Sequence, residues 1–252
     1  MSFLYLIRHG ERLDETDRSA WKKKLKTYEG KCKNMNHRIA DVCITEKGHR
    51  EAEEMALYIS STKAKELEGI PCIYVSRLQR AIQTAYPLAL KLGLPLMVSS
   101  GISTCALCVR KCIEKSMRFE FFKLDELQSM CKGVELIDVD DKYHPLHVPT
   151  KSWRKAIETI AMRSDELQKP LIIVGHRELN RNVVGNKNLK TPPCGISYIK
   201  ATKSEVDLTD DGIDNDNDNH NHDKKKSQNK FHYELLEHTK FDGTPSPLPV
   251  EK

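Results

Sequence analysis

Two stretches of this 252-residue sequence echo each other: Leu4-Tyr5-Leu6-Ile7-Arg8-His9-Gly10-Glu11 and Leu171-Ile172-Ile173-Val174-Gly175-His176-Arg177-Glu178. Each sets a His just beyond a short apolar run of the kind that forms a strand buried on both faces. A third such run, residues 72–75, ends at Ser76, and the helical spacing that follows places Arg80 on the first turn of a helix. Open α/β sheets bind ligands outside the carboxyl ends of their strands. If the two His-bearing strands are neighbours, His9 and His176 face each other across one crevice with Arg8 and Arg80 beside them. No carboxylate set for a metal accompanies this cluster. Guanidinium forks and a helix N-terminus instead match a phosphoryl group. A neutral imidazole in such a pocket can attack phosphorus and divide one difficult displacement into two easier ones.

The elements that must hold these residues follow from the hydrophobic pattern. Strands are predicted at residues 3–7, 72–75, 96–99, 171–174, 195–201 and 231–236. Between them, Thr45 and Gly48 introduce a helix carrying Ala52, Met55, Ala56 and Ile59 at helical spacing. A second helix carries Leu78, Ala81, Ile82, Ala85, Leu88, Ala89 and Leu92, with a kink expected at Pro87. A third carries Trp153, Ala156, Ile157, Ile160, Ala161 and Leu167. Strands alternating with helices imply an α/β fold with a mostly parallel central sheet flanked by helices. Residues 101–148 show no sustained period and read as a helical and loop insertion over the active-site face.

Composition bounds the rest. With 38% hydrophobic and 31% charged residues the chain can bury a sizeable core. Residues 1–238 read as one domain. Residues 207–230 are Asp, Asn, His, Lys, Ser and Gln with almost nothing apolar, and so read as a disordered insert between two neighbouring strands. Residues 239–252, with Pro245, Pro247 and Pro249, read as a flexible tail. A formal charge of +5 suits anionic partners without arguing for nucleic acid. No apolar run approaches the ~20 residues that span a bilayer, and no secretory signal is readable. Eight Cys at irregular spacing then fit a reduced, cytoplasmic protein. Cys105, Cys108 and Cys112 have the spacing of one helix face as well as that of three zinc thiolates, and packing is the reading favoured. His220 and His222 read as solvated loop residues rather than ligands for a divalent ion. No metal and no cofactor are expected, and nothing in the sequence sets an oligomeric state.

Arg8-His9-Gly10, the stretch Ser76-Arg77-Leu78-Gln79-Arg80-Ala81-Ile82-Gln83-Thr84-Ala85, and Gly175-His176 together resemble the signatures of the histidine phosphatase (phosphoglycerate mutase-like) superfamily. Within it, Arg8 to Arg12 followed by Asp14 and Trp21, then Asp41, Thr45 and Gly48, is most similar to the phosphatase domain of the ubiquitin-associated and SH3 domain-containing proteins. Asp140, Tyr143 and Pro145, with Pro193-Cys194-Gly195, agree with that subgroup. The resemblance implies that His9 is the nucleophile and becomes a phosphohistidine. It implies that Arg8, Arg80 and His176 bind the phosphoryl oxygens, with Arg12 adding a contact, and that the substrate is a phosphorylated protein or small molecule. No ubiquitin-associated or SH3 domain is expected ahead of the first strand. Relatives carry an acid a few residues past the fourth strand, where this sequence has Thr104, which cannot protonate a leaving oxygen at neutral pH. Glu114, Glu120 and Glu178 are the substitute proton donors to consider.

The expected function is a metal-independent phosphomonoesterase acting on phosphotyrosine or other aryl and small-molecule phosphates. A phosphate-binding pseudoenzyme or interaction module is the alternative that the missing acid leaves open. A phosphoglycerate mutase or sugar bisphosphatase is the other, disfavoured by Arg12 where mutases usually read Ser.

Overall fold

A computed structural model describes residues 2–17, 19, 41–103, 121–149, 152–204 and 231–239. Its strands are β1 (Ser2–Arg8), β2 (Ile73–Ser76), β3 (Leu96–Ser99), β4 (Leu136–Asp138), β5 (Leu171–Gly175), β6 (Ile196–Lys203) and β7 (Phe231–Thr239). Its helices are α1 (Leu13–Thr16), α2 (Glu46–Thr62), α3 (Ala64–Leu67), α4 (Gln79–Leu92), α5 (Leu124–Gln128), α6 (Trp153–Leu167) and α7 (Arg177–Val184). The strands form one sheet in the order β4-β3-β2-β5-β1-β6-β7. Pairing is parallel from β4 to β1, and β6 runs antiparallel to both β1 and β7. The fold is thus mixed α/β with a mostly parallel sheet flanked by helices.

Every residue of β2 and β5 is buried, as in a sheet covered on both faces. Helix α4 packs on β2, β3 and β5, α6 on β1 and β5, and α7 on β1 and β7, while α2 packs against α4. The chain leaves β1 and builds β2, β3 and β4 outward before β5 returns between β2 and β1. That reversal opens a crevice beyond the carboxyl ends of β1, β5 and β2, the switch point at which open α/β sheets place their ligands.

Local chemistry sets the helix ends. The Thr45 hydroxyl accepts the Gly48 amide at 3.0 Å and caps α2. Helix α4 runs through Pro87 and ends at Gly93, whose φ of 65° is left-handed and costs glycine little. No helix among the described residues is long and apolar enough to cross a membrane.

Three expectations need correction. Residues 101–148 hold more than helix and loop, because β4 lies within them and pairs in parallel with β3 at the sheet edge. A three-residue strand is too short to show a period. Leu167 does not join the buried stripe of α6; it closes the helix with 42% exposure, just before Gln168 turns the chain at a φ of 51°. Thr239 belongs to β7, opposite Ile196, and not to the tail. Trp21, Thr104, the three Cys at 105, 108 and 112, residues 207–230 with His220 and His222, and residues 240–252 lie outside the described residues.

Candidate active site

Strands β1 and β5 are direct neighbours with Arg8 opposite Gly175, so His9 and His176 emerge side by side. The His9 amide donates to the Gly175 carbonyl at 3.0 Å, stitching the two strand ends together. The imidazole rings stand edge-on with centroids 5.3 Å apart. His9 is 2% exposed, and His176 and Arg80 are fully buried.

The geometry around His9 assigns its protons. Its Nδ1 lies 2.8 Å from the Gly10 carbonyl oxygen, which can only accept, so Nδ1 carries the hydrogen and Nε2 keeps its lone pair. Burial first, then the charge of Arg80 and the presence of His176, hold the ring well below the ordinary imidazole pKa and therefore neutral. A neutral ring with a free Nε2 is the form that can attack phosphorus. Gly10 is itself fixed, its amide donating to the Thr84 hydroxyl at 2.9 Å. A Cβ on Gly10 would meet the Gly48 carbonyl oxygen at 2.8 Å, so the turn after His9 lies flush against the start of α2.

The cations come from three elements. Arg8, at the end of β1, donates to the Thr191 carbonyl at 2.7 Å and to Glu15 at 3.2 Å. Burial works against its charge, and Glu15 supports it. Arg80 enters from the first turn of α4 and faces Asp41 at 3.5 Å, both side chains being fully buried. Asp41 also accepts the Gln79 amide at 2.8 Å. Burial nonetheless pushes the Asp41 carboxyl up to about 7, opposed by Arg80, by that amide and by Arg12. Arg12 reaches Asp14, with Glu15 3.6 Å away, and its charge acts on His176. It is held by the acids of α1.

His176 is the N-cap residue of α7. Its Nε2 meets the Ser76 hydroxyl at 2.8 Å, and its buried Nδ1 has no partner among the described residues. Burial, then Arg80, Arg12 and Arg8, hold its pKa well below the usual value. Of the three substitute proton donors, Glu114 and Glu120 lie outside the described residues, and Glu178 accepts from its neighbour Arg177 at 3.0 and 3.2 Å. Glu178 is thereby held as the partner of Arg177.

Sequence reading missed the parts that orient these groups: Ser76, Ser103 and Thr84, and the role of Asp41 against Arg80. Ser76 and Thr84 stood in the motif that carries Arg80, but only the fold shows what each hydroxyl touches. Among the described residues no three His, Cys, Asp or Glu cluster in a way that could hold a metal ion.

Residues 4–106 match the model of the histidine phosphatase superfamily (branch 1), which supports placing the chain in that superfamily. No curated protein matches the sequence. Among solved structures, the ecdysone phosphate phosphatase of Bombix mori in complex with tungstate is similar at 16% identity. It covers 79% of this chain and 89% of that one with a TM-score of 0.54, and so shares the fold. A mycobacterial glucosyl-3-phosphoglycerate phosphatase is similar at 12% identity, covering 94% and 97% of the two chains with a TM-score of 0.41. A phosphoserine phosphatase of Entamoeba histolytica in complex with 3-phosphoglyceric acid is similar at 19% identity, covering 79% and 91% with a TM-score of 0.40.

Proposed function

We propose that this protein is a metal-independent phosphomonoesterase that works through a phosphohistidine on His9. The observation that carries this reading is the proton assignment of His9: a buried, neutral ring whose Nδ1–H is held by the Gly10 carbonyl, so that Nε2 keeps its lone pair. Beside it, Arg8 and Arg80 supply fixed positive charge at the place where the charge of a transferring phosphoryl group develops. His9 Nε2 attacks phosphorus, the ester oxygen departs, and water then cleaves the N–P bond. Arg12 adds a further contact to the phosphoryl oxygens, and His176 binds them from the opposite side.

The substrate class follows from the motifs and from Thr104. With no carboxyl acid there, a phenolate leaves more easily than an alkoxide, so aryl phosphates, phosphotyrosine among them, are the preferred substrates. The resemblance to the phosphatase domain of the ubiquitin-associated and SH3 domain-containing proteins supports the same class. The test is hydrolysis of phenyl phosphate and of an alkyl phosphate by the wild-type chain and by His9→Ala. Faster hydrolysis of the aryl ester is expected, with a loss of about a thousandfold or more in the variant. Binding of phosphate with no turnover of either ester would favour the pseudoenzyme reading instead.

A further inference from the structure

The hydroxyls behind His176 form a chain whose protons can be counted. Ser103 Oγ lies 3.2 Å from the Ser99 carbonyl, which can only accept, so the Ser103 hydrogen points there. The Arg77 amide is shared between Ser103 Oγ and the Ser99 carbonyl, each at 3.1 Å, and Ser103 Oγ keeps an acceptor site for Ser76 Oγ, 2.8 Å away. Ser76 Oγ in turn accepts the Leu78 amide at 3.3 Å. Every contact is satisfied in one arrangement: His176 Nε2–H donates to Ser76, Ser76 donates to Ser103, and Ser103 donates to the Ser99 carbonyl. A neutral His176 then has a bare Nδ1, the buried atom that has no partner among the described residues.

We infer that the pocket takes the singly protonated phosphoryl group, and that His176 Nδ1, held as an acceptor by the Ser76–Ser103 relay, receives that proton and returns it to the departing oxygen. This rests on the phosphomonoesterase reading above and answers the question that Thr104 raises. In the first step the His9 Nε2 pair forms the N–P bond, and the P–O bond breaks with its pair on the leaving oxygen. The proton of the phosphoryl hydroxyl passes through His176 Nδ1 to that oxygen, and the alcohol or phenol departs. In the second step a water oxygen attacks phosphorus, one water proton passes through His176 Nδ1 to a phosphoryl oxygen, and the N–P pair returns to His9. Phosphate leaves as the dihydrogen monoanion, carrying both water protons. No proton is drawn from the protein or left on it, so no carboxyl acid is needed, and the less basic phenolate oxygen, which needs the relayed proton least, still leaves faster than an alkoxide.

The groups around His176 oppose charging it in advance. Arg8 at the end of β1, Arg12 in the following loop and Arg80 on α4 are cationic, His9 is neutral, and burial acts in the same direction. Asp41 and Glu15 face Arg80 and Arg8. On α7 itself, Arg177 and Glu178 pair with each other. The proton therefore has to arrive with the substrate, whose second ionisation lies near pH 6 for phosphorylated side chains.

The test uses the full chain with inorganic phosphate as the probe. Nitrogen-15 NMR of the imidazoles, with the His176 signals assigned from His176→Gln, should show hydrogen on Nε2 and a bare Nδ1. The dissociation constant of phosphate should rise about tenfold per pH unit above its second pKa. Ser76→Ala should release the tautomer and flatten that dependence, and Ser76→Thr should keep it. Hydrogen on Nδ1 of the free protein, affinity that holds or tightens toward pH 8, or an unchanged pH profile in Ser76→Ala would overturn the inference. Should Ser76→Ala not fold, the wild-type and Ser76→Thr measurements decide. None of these readouts needs turnover, so a missing phosphatase activity would be seen separately as unhydrolysed ester.

Discussion

Thr84→Val removes one oxygen from beneath the nucleophile and leaves the shape of the side chain unchanged. The hydroxyl is fully buried, accepts the Gly10 amide at 2.9 Å and donates to the Arg80 carbonyl at 2.7 Å. The Arg80 carbonyl lies in the first turn of α4, so losing the hydroxyl costs it little. The Gly10 amide is left buried and unpaired, a penalty of roughly 1–3 kcal/mol. A loss of about 2 kcal/mol lowers the melting temperature by about 4–8 °C in a chain of this size. Gly10 is also the residue whose carbonyl fixes His9 Nδ1, so the nucleophile loosens with it. If the whole 2 kcal/mol is lost in the transition state, kcat falls about 30-fold with KM little changed. Urea denaturation and steady-state kinetics on phenyl phosphate measure both effects, and Thr84→Ser should restore most of each. Stability within about 0.5 kcal/mol of wild type together with an unchanged kcat would refute the reasoning, because the amide would then have another partner.

Arg80→Ala should slow hydrolysis by about a hundredfold, the effect of removing one preorganised charge contact, and wild-type activity should persist in chelator. Activity lost in EDTA and restored by zinc or magnesium would contradict the cation pocket. Stability should fall as the pH drops from about 6.5 to about 5. Over that window the unfolded chain binds two protons on His9 and His176 that the native rings refuse, while native Asp41 binds one that the unfolded carboxyl refuses. The net uptake grows from a small fraction of a proton near pH 6.5 to about one near pH 5, so the slope steepens to about 1.4 kcal/mol per pH unit at the acid end, read by urea denaturation across that range. A flat or opposite slope would mean that at least one of the His rings takes up its proton in the folded state.

The strands that carry the chemistry were legible because they are buried on both faces and read as unbroken apolar runs ending at a functional residue. The sequence places His9 and His176 at strand ends and Arg80 on the helix turn that follows a third, and the fold brings the three strands together. Their adjacency could only be stated as a condition, since the return of β5 between β1 and β2 depends on which crossover packs where. Strand β4 was illegible, being three residues paired on one edge only. The orienting network was illegible for a different reason. Whether Ser76 faces His176 and Thr84 faces Gly10 is decided by backbone positions far apart in sequence, whereas a hydroxyl in a helix or strand pattern looks the same wherever it points. Leu167 shows the converse error, for an apolar residue at helical spacing reads as core even where the helix has already run past its support.

Stopping turnover of a phosphate ester with alkali and mapping phosphoryl groups onto peptides decides whether His9 is the nucleophile. A base-stable, acid-labile phosphoryl group is expected on the peptide containing His9, forming at a rate no slower than turnover and absent from His9→Ala. Turnover with no phosphorylated protein, or a phosphoryl group on another residue, would contradict it.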